Sequence, residues 1–147
     1  MNILEDRIRQ REALLPPNTD AYRVADGSPW PDIFIDALAD RLLVSLRNTT
    51  LPRGLKDLLE ATGRSVYLKR LDNDVKEAPQ HLCGPLAEPR FAILENGVRY
   101  MMDMEAGYSQ GIFLDQRDNR ATVRRRLGAD INASCGQLRR EDLKQNS

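Results

Sequence analysis

The sequence predicts an α+β protein in which one helix, at residues 51–62, covers a small, mostly antiparallel sheet. Over residues 1–70, short apolar runs bounded by turn residues alternate with two segments of helical periodicity. An Asn-Gly pair at residues 96–97 separates two further strand-like runs. The order strand, strand, strand, helix, strand is typical of a sheet with one face covered by a helix.

The composition is that of an ordinary globular protein with balanced charge. The chain has 147 residues, 41% hydrophobic and 30% charged, and 22 Lys and Arg balance 22 Asp and Glu. This balance gives no bulk indication of nucleic-acid or membrane affinity. No apolar run reaches the roughly 20 residues that cross a bilayer, so we expect no membrane partner.

The cysteines do not form a recognisable site. Cys83 and Cys135 lack CxxC spacing, and with the single His81 they match no familiar metal-binding pattern. We therefore expect two free thiols in a reducing cytoplasm and no metal. His81 lies near Cys83 in sequence, but no base or oxyanion site can be placed around that thiol, so no catalytic residue is assigned.

Residues 1–17 are predicted to form an N-terminal helix. Asn2 can cap it, with Glu5 in capping-box position, and Pro16-Pro17 ends it because proline lacks an amide donor. The apolar side chains that fall on one stripe are Ile3, Leu4, Ile8 and Leu15.

Residues 18–72 are predicted to form a small α+β domain. Ala39-Asp40 suits a tight connection between its second and third strands. Pro52 suits the first turn of its helix and Gly63 the end. The expected strands are Ala21–Ala25, Ile33–Asp36, Leu42–Leu46 and Ser65–Lys69, the expected helix is Leu51–Thr62, and its buried stripe is Leu55, Leu58 and Leu59.

The next segments are a predicted loop and a predicted hairpin. Residues 73–90 contain Pro79, Gly84, Pro85 and Pro89 without periodicity, which indicates a linker loop. Phe91–Asp103 is predicted to be a hairpin with Asn96-Gly97 at its tip, because a type I′ turn needs residues that tolerate positive φ. Met101, Met102 and Met104 are expected to fill a core gap or an interface.

Two segments in the second half of the chain carry a family resemblance. Glu95–Tyr100 is similar to a hairpin motif E-N-G-V-x-[FY], and Gly111–Arg120 to the motif G-[FY]-[FY]-L-D-Q-R-x-N-R. Together they resemble the class I S-adenosylmethionine (SAM)-dependent ribosomal-RNA cytosine-5 methyltransferases. Tyr22–Asp36 matches a third segment of that family more loosely, and the resemblance covers about residues 10–128.

The resemblance implies a fold and a function. Residues 91–128 are then the hairpin and first helix of a Rossmann-like catalytic domain, the helix running from about Asp118 to Leu127. Residues 129–147 depart from the family and lack an apolar run for a central strand, so we expect a disordered tail and a chain cut off before most of the SAM-binding core. SAM is the implied cofactor, ribosomal RNA the implied partner and the cytoplasm the implied location.

The resemblance also marks candidate cofactor residues at the junction where a strand becomes a helix. Their alternative role is architectural, with Asp115 capping the helix and the arginines pairing with acidic side chains. The candidates are Phe113, Gln116, Arg117 and Arg120.

A second function class remains open. The chain is alternatively a non-catalytic module that binds RNA or a protein. The Phe91–Met104 hairpin, rich in Met and Tyr, would suit strand addition or self-association.

Overall fold

The computed structural model describes residues 2–71 and 78–105. The helix expected at residues 118–127 and the tail at 129–147 lie outside this part. The described elements are α1 (Ile3–Ala13), β1 (Ala21–Asp26), β2 (Ile33–Leu38), β3 (Arg41–Leu46), α2 (Arg53–Ala61), β4 (Ser65–Arg70), β5 (Gln80–Cys83), β6 (Arg90–Glu95) and β7 (Val98–Asp103).

The first five strands form one sheet in the order β1-β2-β3-β4-β5. Neighbouring strands are antiparallel except β3 and β4, which are parallel. The parallel pair follows from α2, because a strand that returns in the same direction needs a crossover, usually a helix. Strands β6 and β7 form a separate antiparallel pair. The α+β class and the mostly antiparallel sheet are confirmed.

Helix α1 begins as the sequence indicates. The Glu5 amide donates to Asn2 Oδ1 at 2.7 Å, which satisfies one of the amides that a helix start leaves free. Leu4 and Ile8 are buried, but Ile3 is 51% exposed, so its assignment to the buried stripe was wrong. Ile3 precedes Leu4 directly, and adjacent helical residues point about 100° apart.

Helix α2 begins one residue later than its proline suggested. Pro52 is the N-cap, with an extended ψ of 141°, and the helix starts at Arg53. Leu55 and Leu59 are buried, and Leu58 packs beside them. Both α1 and α2 contribute to the core on one face of the sheet, which the sequence assigned to the second helix alone.

The linker predicted for residues 73–90 contains a strand, and this part of the prediction was wrong. Gln80–Cys83 forms β5, the outer strand beside β4. It escaped prediction because an edge strand is half exposed, and these four residues include no β-branched side chain. Gly84 then turns the chain at φ +82°, so close to β4 that a Cβ would lie 1.9 Å from the Arg64 carbonyl oxygen.

The hairpin is confirmed. Strands β6 and β7 meet at Asn96 and Gly97, whose φ angles are 52° and 81°, as a type I′ turn requires. Its inner side chains pack on the sheet face opposite the helices, and the buried positions of Met102 and Met104 confirm their assignment to a core. This second core joins Ile93, Tyr100, Met102 and Met104 to Ala21, Leu38, Leu43 and Tyr67.

Hydrogen bonds donated by backbone amides to carbonyl and side-chain oxygens anchor the hairpin to the segment before β1. Asp20 and Leu94 exchange two bonds: the Asp20 amide donates to the Leu94 carbonyl at 2.9 Å, and the Leu94 amide donates to Asp20 Oδ1 at 2.7 Å. The Asn96 amide donates to Thr19 Oγ1 at 2.9 Å. The outer edge of β6 is therefore occupied at these positions.

Arg41 fixes the other end of the hairpin. It is buried at the start of β3, and its guanidinium Cζ lies 3.9 Å from the Phe91 ring centroid. The same guanidinium donates to the Glu88 carbonyl. A buried cation over an aromatic face is stabilised more than an exposed one, because little water competes with the ring.

Gly84→Ala should lower the free energy of unfolding by more than about 1 kcal/mol, since alanine at positive φ is strained and its methyl group would meet the Arg64 carbonyl. Urea unfolding followed by circular dichroism measures the change.

Gly54→Ala is the matched control. Gly54 lies near the start of α2 in open space without a positive φ. The same substitution there should leave stability unchanged or raise it by up to about 1 kcal/mol. Equal effects of the two substitutions would contradict the close approach at Gly84.

Candidate functional site

The candidate cofactor residues lie outside the described residues. They are Phe113, Gln116, Arg117 and Arg120. Within residues 2–71 and 78–105, charged and aromatic side chains gather on one part of the sheet, on the same face as the hairpin.

This face of the sheet has two halves. In each of β1 to β4, one side chain packs under the hairpin. The side chain two residues away on the same strand is polar and lies beyond the hairpin. Alternate residues of a strand share a face, so the hairpin covers one half and the other half is polar. The pairs are Ala21 and Arg23, Leu38 and Asp36, Leu43 and Ser45, and Tyr67 and Lys69.

We call the second half the polar half-face. It is defined by Arg23, Phe34, Asp36, Arg47 and Lys69. Cross-strand pairing brings these residues together, because Arg23 pairs with Asp36, and Phe34 and Lys69 both pair with Ser45. Arg47 directly follows β3, and its backbone amide donates a hydrogen bond to the Asp32 carbonyl at 2.9 Å.

A bidentate ion pair lies at the centre of the polar half-face. Arg23 Nε donates to Asp36 Oδ1 at 2.7 Å, and Arg23 Nη2 donates to Oδ2 at 3.2 Å. The Asp36 side chain is only 12% exposed, whereas the Arg23 side chain is 43% exposed. Arg23 Nη1 also lies 3.6 Å from Asp26 Oδ1. Two carboxylates therefore hold the Arg23 guanidinium in one orientation.

Two cations lie near the Phe34 ring. Arg23 Cζ is 5.5 Å and Arg47 Cζ is 4.7 Å from the ring centroid, both within cation–π range. Phe34 is half-buried and Arg47 is exposed. The ring is thus an aromatic surface on an open sheet, accompanied by positive charge.

Burial changes the ionisation of two groups here. It raises the pKa of the Asp36 carboxyl, and the Arg23 guanidinium opposes this only in part. Burial lowers the pKa of the Lys69 ammonium, and the nearby Asp36 opposes that shift. The polar half-face has three basic side chains and one acidic one, and Asp26, which contacts Arg23 from outside it, adds a second acidic group. Basic groups therefore outnumber acidic ones here, although the whole chain is neutral.

Cys83 and His81 have different surroundings. Burial raises the pKa of the Cys83 thiol, which disfavours the nucleophilic thiolate. His81 Nε2 lies 3.3 Å from the Pro85 carbonyl oxygen, and its ring packs edge-on against Tyr67 at 5.5 Å. In the part of the chain that the structure describes, no helix is long and apolar enough to cross a membrane.

Sequence reasoning missed the polar half-face because its residues are spread over four separate strand regions between positions 23 and 69. A usable signal was present. Asp36, Ser45 and Lys69 are polar residues at alternate positions of otherwise apolar strands, a pattern typical of a sheet face that is not fully covered.

Curated proteins provide relatives over most of the chain, although no protein-family profile matches it. Ribosomal RNA large subunit methyltransferase I of Shewanella denitrificans is 34% identical over 143 residues, covering 89% of this chain and 34% of that protein. A ribosomal RNA large subunit methyltransferase of Deinococcus radiodurans is 30% identical over 139 residues, covering 82% and 34%. These relatives are ribosomal RNA methyltransferases. The chain spans about a third of their length.

Solved structures agree with the sequence relatives. A protein from Streptococcus mutans described as a SAM-dependent methyltransferase has a TM-score of 0.62 and 29% identity, covering 82% of this chain and 33% of that one. A methyltransferase structure determined with S-adenosylhomocysteine (SAH) has a TM-score of 0.61 and 30% identity, covering 80% and 32%. The fold of this chain is therefore similar to a segment that makes up about a third of the length of each of these methyltransferases.

Asp36→Asn should alter how stability depends on pH. Because burial raises the folded-state pKa of Asp36, its contribution to stability is full below the unfolded pKa of about 3.9 and is lost as pH rises through the folded value. The free energy of unfolding of the wild type minus that of the variant should therefore increase as pH falls from about 8 to 4. Urea unfolding at each pH measures this difference.

Arg23→Gln provides the second arm of this test. Removing the guanidinium leaves only Lys69 to oppose the effect of burial on the pKa of Asp36, so the same pH-dependent loss of stability should extend to higher pH than in the wild type. If the free energy of unfolding of the wild type minus that of Asp36→Asn stays constant across this pH range, the raised pKa of Asp36 is contradicted.

Proposed function

We propose that this chain is the substrate-facing segment of a SAM-dependent methyltransferase that acts on large-subunit ribosomal RNA. The observation that carries the proposal is the match of the described fold to SAM-dependent methyltransferases at TM-scores above 0.6, together with rRNA methyltransferase relatives over more than 80% of the chain. The role in RNA handling is supported by the positive polar half-face beside the hairpin.

We further propose that the 147 residues by themselves do not transfer a methyl group. SAM would supply an electrophilic methyl group. The candidates to hold it, from the family resemblance, are Phe113, Gln116, Arg117 and Arg120. Two hydrogen bonds from this junction would contribute about 0.5–1.5 kcal/mol each. A micromolar site requires about 8 kcal/mol, so these residues would need the rest of a methyltransferase domain.

The proposed target atom is C5 of a cytosine. This rests on the similarity of residues 95–100 and 111–120 to the motifs of the cytosine-5 family. That reaction needs a cysteine thiolate that adds transiently to the base, so that the activated ring carbon can attack the methyl group. Cys83 is unsuited to this role, because burial raises its pKa and it belongs to an edge strand.

A hairpin-mediated binding module is less well supported. The inner face of the hairpin is buried against the sheet, and the outer edge of β6 is hydrogen-bonded at Leu94 and Asn96. A partner strand could not add along β6 without displacing Thr19 and Asp20.

A chimera tests the assignment. Residues 2–105 of this chain should replace the matching segment of the Deinococcus radiodurans relative, and the product should be incubated with tritiated SAM and rRNA. We expect methyl incorporation above that of a chimera lacking the segment, with the label in 5-methylcytidine on nucleoside analysis. A chimera that folds, as judged by circular dichroism, but methylates no RNA would contradict the proposed function.

The isolated chain should bind SAM too weakly for calorimetry to detect at low micromolar concentration, because so few candidate contacts are present. It should also incorporate no tritium into rRNA. Saturable binding that Gln116→Ala abolishes would overturn this expectation and indicate a self-contained cofactor site.

A further inference from the structure

We propose that the polar half-face binds single-stranded RNA, with an unpaired base stacked on Phe34 and the neighbouring phosphates paired with Arg47 and Lys69. The inference rests on the proposed function, in which rRNA is the substrate. The residues that it assigns to RNA contact are different from the candidate SAM residues.

The chemistry of the surface favours a nucleic acid. The sheet presents the half-buried Phe34 ring, and the guanidinium groups of Arg23 and Arg47 lie close to it. Bases stack on aromatic rings and phosphates pair with cations, and surfaces that combine the two bind single strands. In a duplex the bases stack on one another, so their faces are not available to a ring on a flat surface.

The two arginines have different roles. Arg23 is held by the bidentate bond to Asp36 and by Asp26, so it forms a fixed wall beside the ring. Arg47 is exposed and contacts Phe34 through its guanidinium at 4.7 Å. Arg47 is therefore the side chain that can leave the ring when a base arrives. Its guanidinium then stays close enough to pair with the adjacent phosphate.

Lys69 adds a reason for an anion to bind here. The ammonium is partly buried beside the ion pair, and burial disfavours its charge. A phosphate oxygen near the ammonium would add to the opposite charge that Asp36 already provides. The surface also carries more basic than acidic groups in a chain that is neutral overall, which favours an anion such as RNA over a neutral or basic partner.

Fluorescence anisotropy of the full 147-residue chain tests the proposal. The probe is a labelled RNA of about 12 nucleotides, used as a single strand and as a duplex with its complement, at salt concentrations from about 50 to 200 mM. The wild type should bind the single strand more tightly than the duplex. Equal or tighter duplex binding, or no binding of the single strand, overturns the proposal.

Substitutions separate stacking from charge. Phe34→Leu should weaken single-strand binding about tenfold and leave the salt dependence unchanged, since it removes one stacked base and no charge. Phe34→Tyr should retain affinity. Arg47→Gln should reduce the slope of log affinity against log salt by about 0.7, the value for one phosphate contact on a single strand.

Arg53→Gln is the charge-matched control. Arg53 is exposed at the start of α2, on the opposite face of the sheet, so its loss should change neither affinity nor slope. Each variant must keep the wild-type circular dichroism spectrum and unfolding midpoint. If Arg53→Gln weakens binding while Phe34→Leu and Arg47→Gln do not, RNA binds elsewhere and the proposal fails.

The chimera distinguishes this failure from failure of the proposed function. Phe34→Leu in an active chimera should raise KM for rRNA several-fold with little change in kcat, because the substituted residue binds substrate and takes no part in chemistry. An active chimera with unchanged KM would overturn the RNA surface and leave the proposed function standing. An inactive chimera would overturn the function, whereas the anisotropy assay would still test the surface.

Discussion

The packing of the β6–β7 hairpin on one half of the sheet determines how the rest of the described structure is arranged. The helices close one face, and without the hairpin the other face would expose Leu43 and Tyr67 to water. The hairpin packs on only one half of the four strands. It therefore divides this face, and the strands place apolar side chains beneath it and polar ones beyond it. The anchoring bonds from Asp20 and Arg41 keep this division fixed.

The division has an energetic cost at Asp36. A carboxylate that is 12% exposed gives up much of its hydration, and its ion pair with Arg23 recovers only part of that loss. An apolar pair at these positions would pack against Phe34 without this penalty. The buried ion pair is therefore better explained by what it orients than by what it stabilises. It holds a guanidinium beside the aromatic ring on the open part of the sheet.

The sequence predicted those elements whose determinants are local. Asn96-Gly97 specified its turn, Asn2 its helix start, and the apolar runs of β1 to β4 their strands. Strand β5 was missed because its stability comes from pairing with β4 and not from its own residues. The polar half-face was missed for a related reason. Phe34 and Lys69 are 35 positions apart in sequence, and only the pairing of both with Ser45 makes them neighbours.

The division of the sheet face also constrains strand alignment. A slip of one residue between β2 and β3 would turn every β3 side chain to the opposite face and leave Ser45 pointing into the helix-side core. A slip of two residues would preserve the faces but would carry Ser45 under the hairpin or, in the other direction, Leu43 into the open. Both errors bury a polar group or expose an apolar one. These shifted registers are thus disfavoured, and the packing of the hairpin on the sheet favours the native register of β2 and β3.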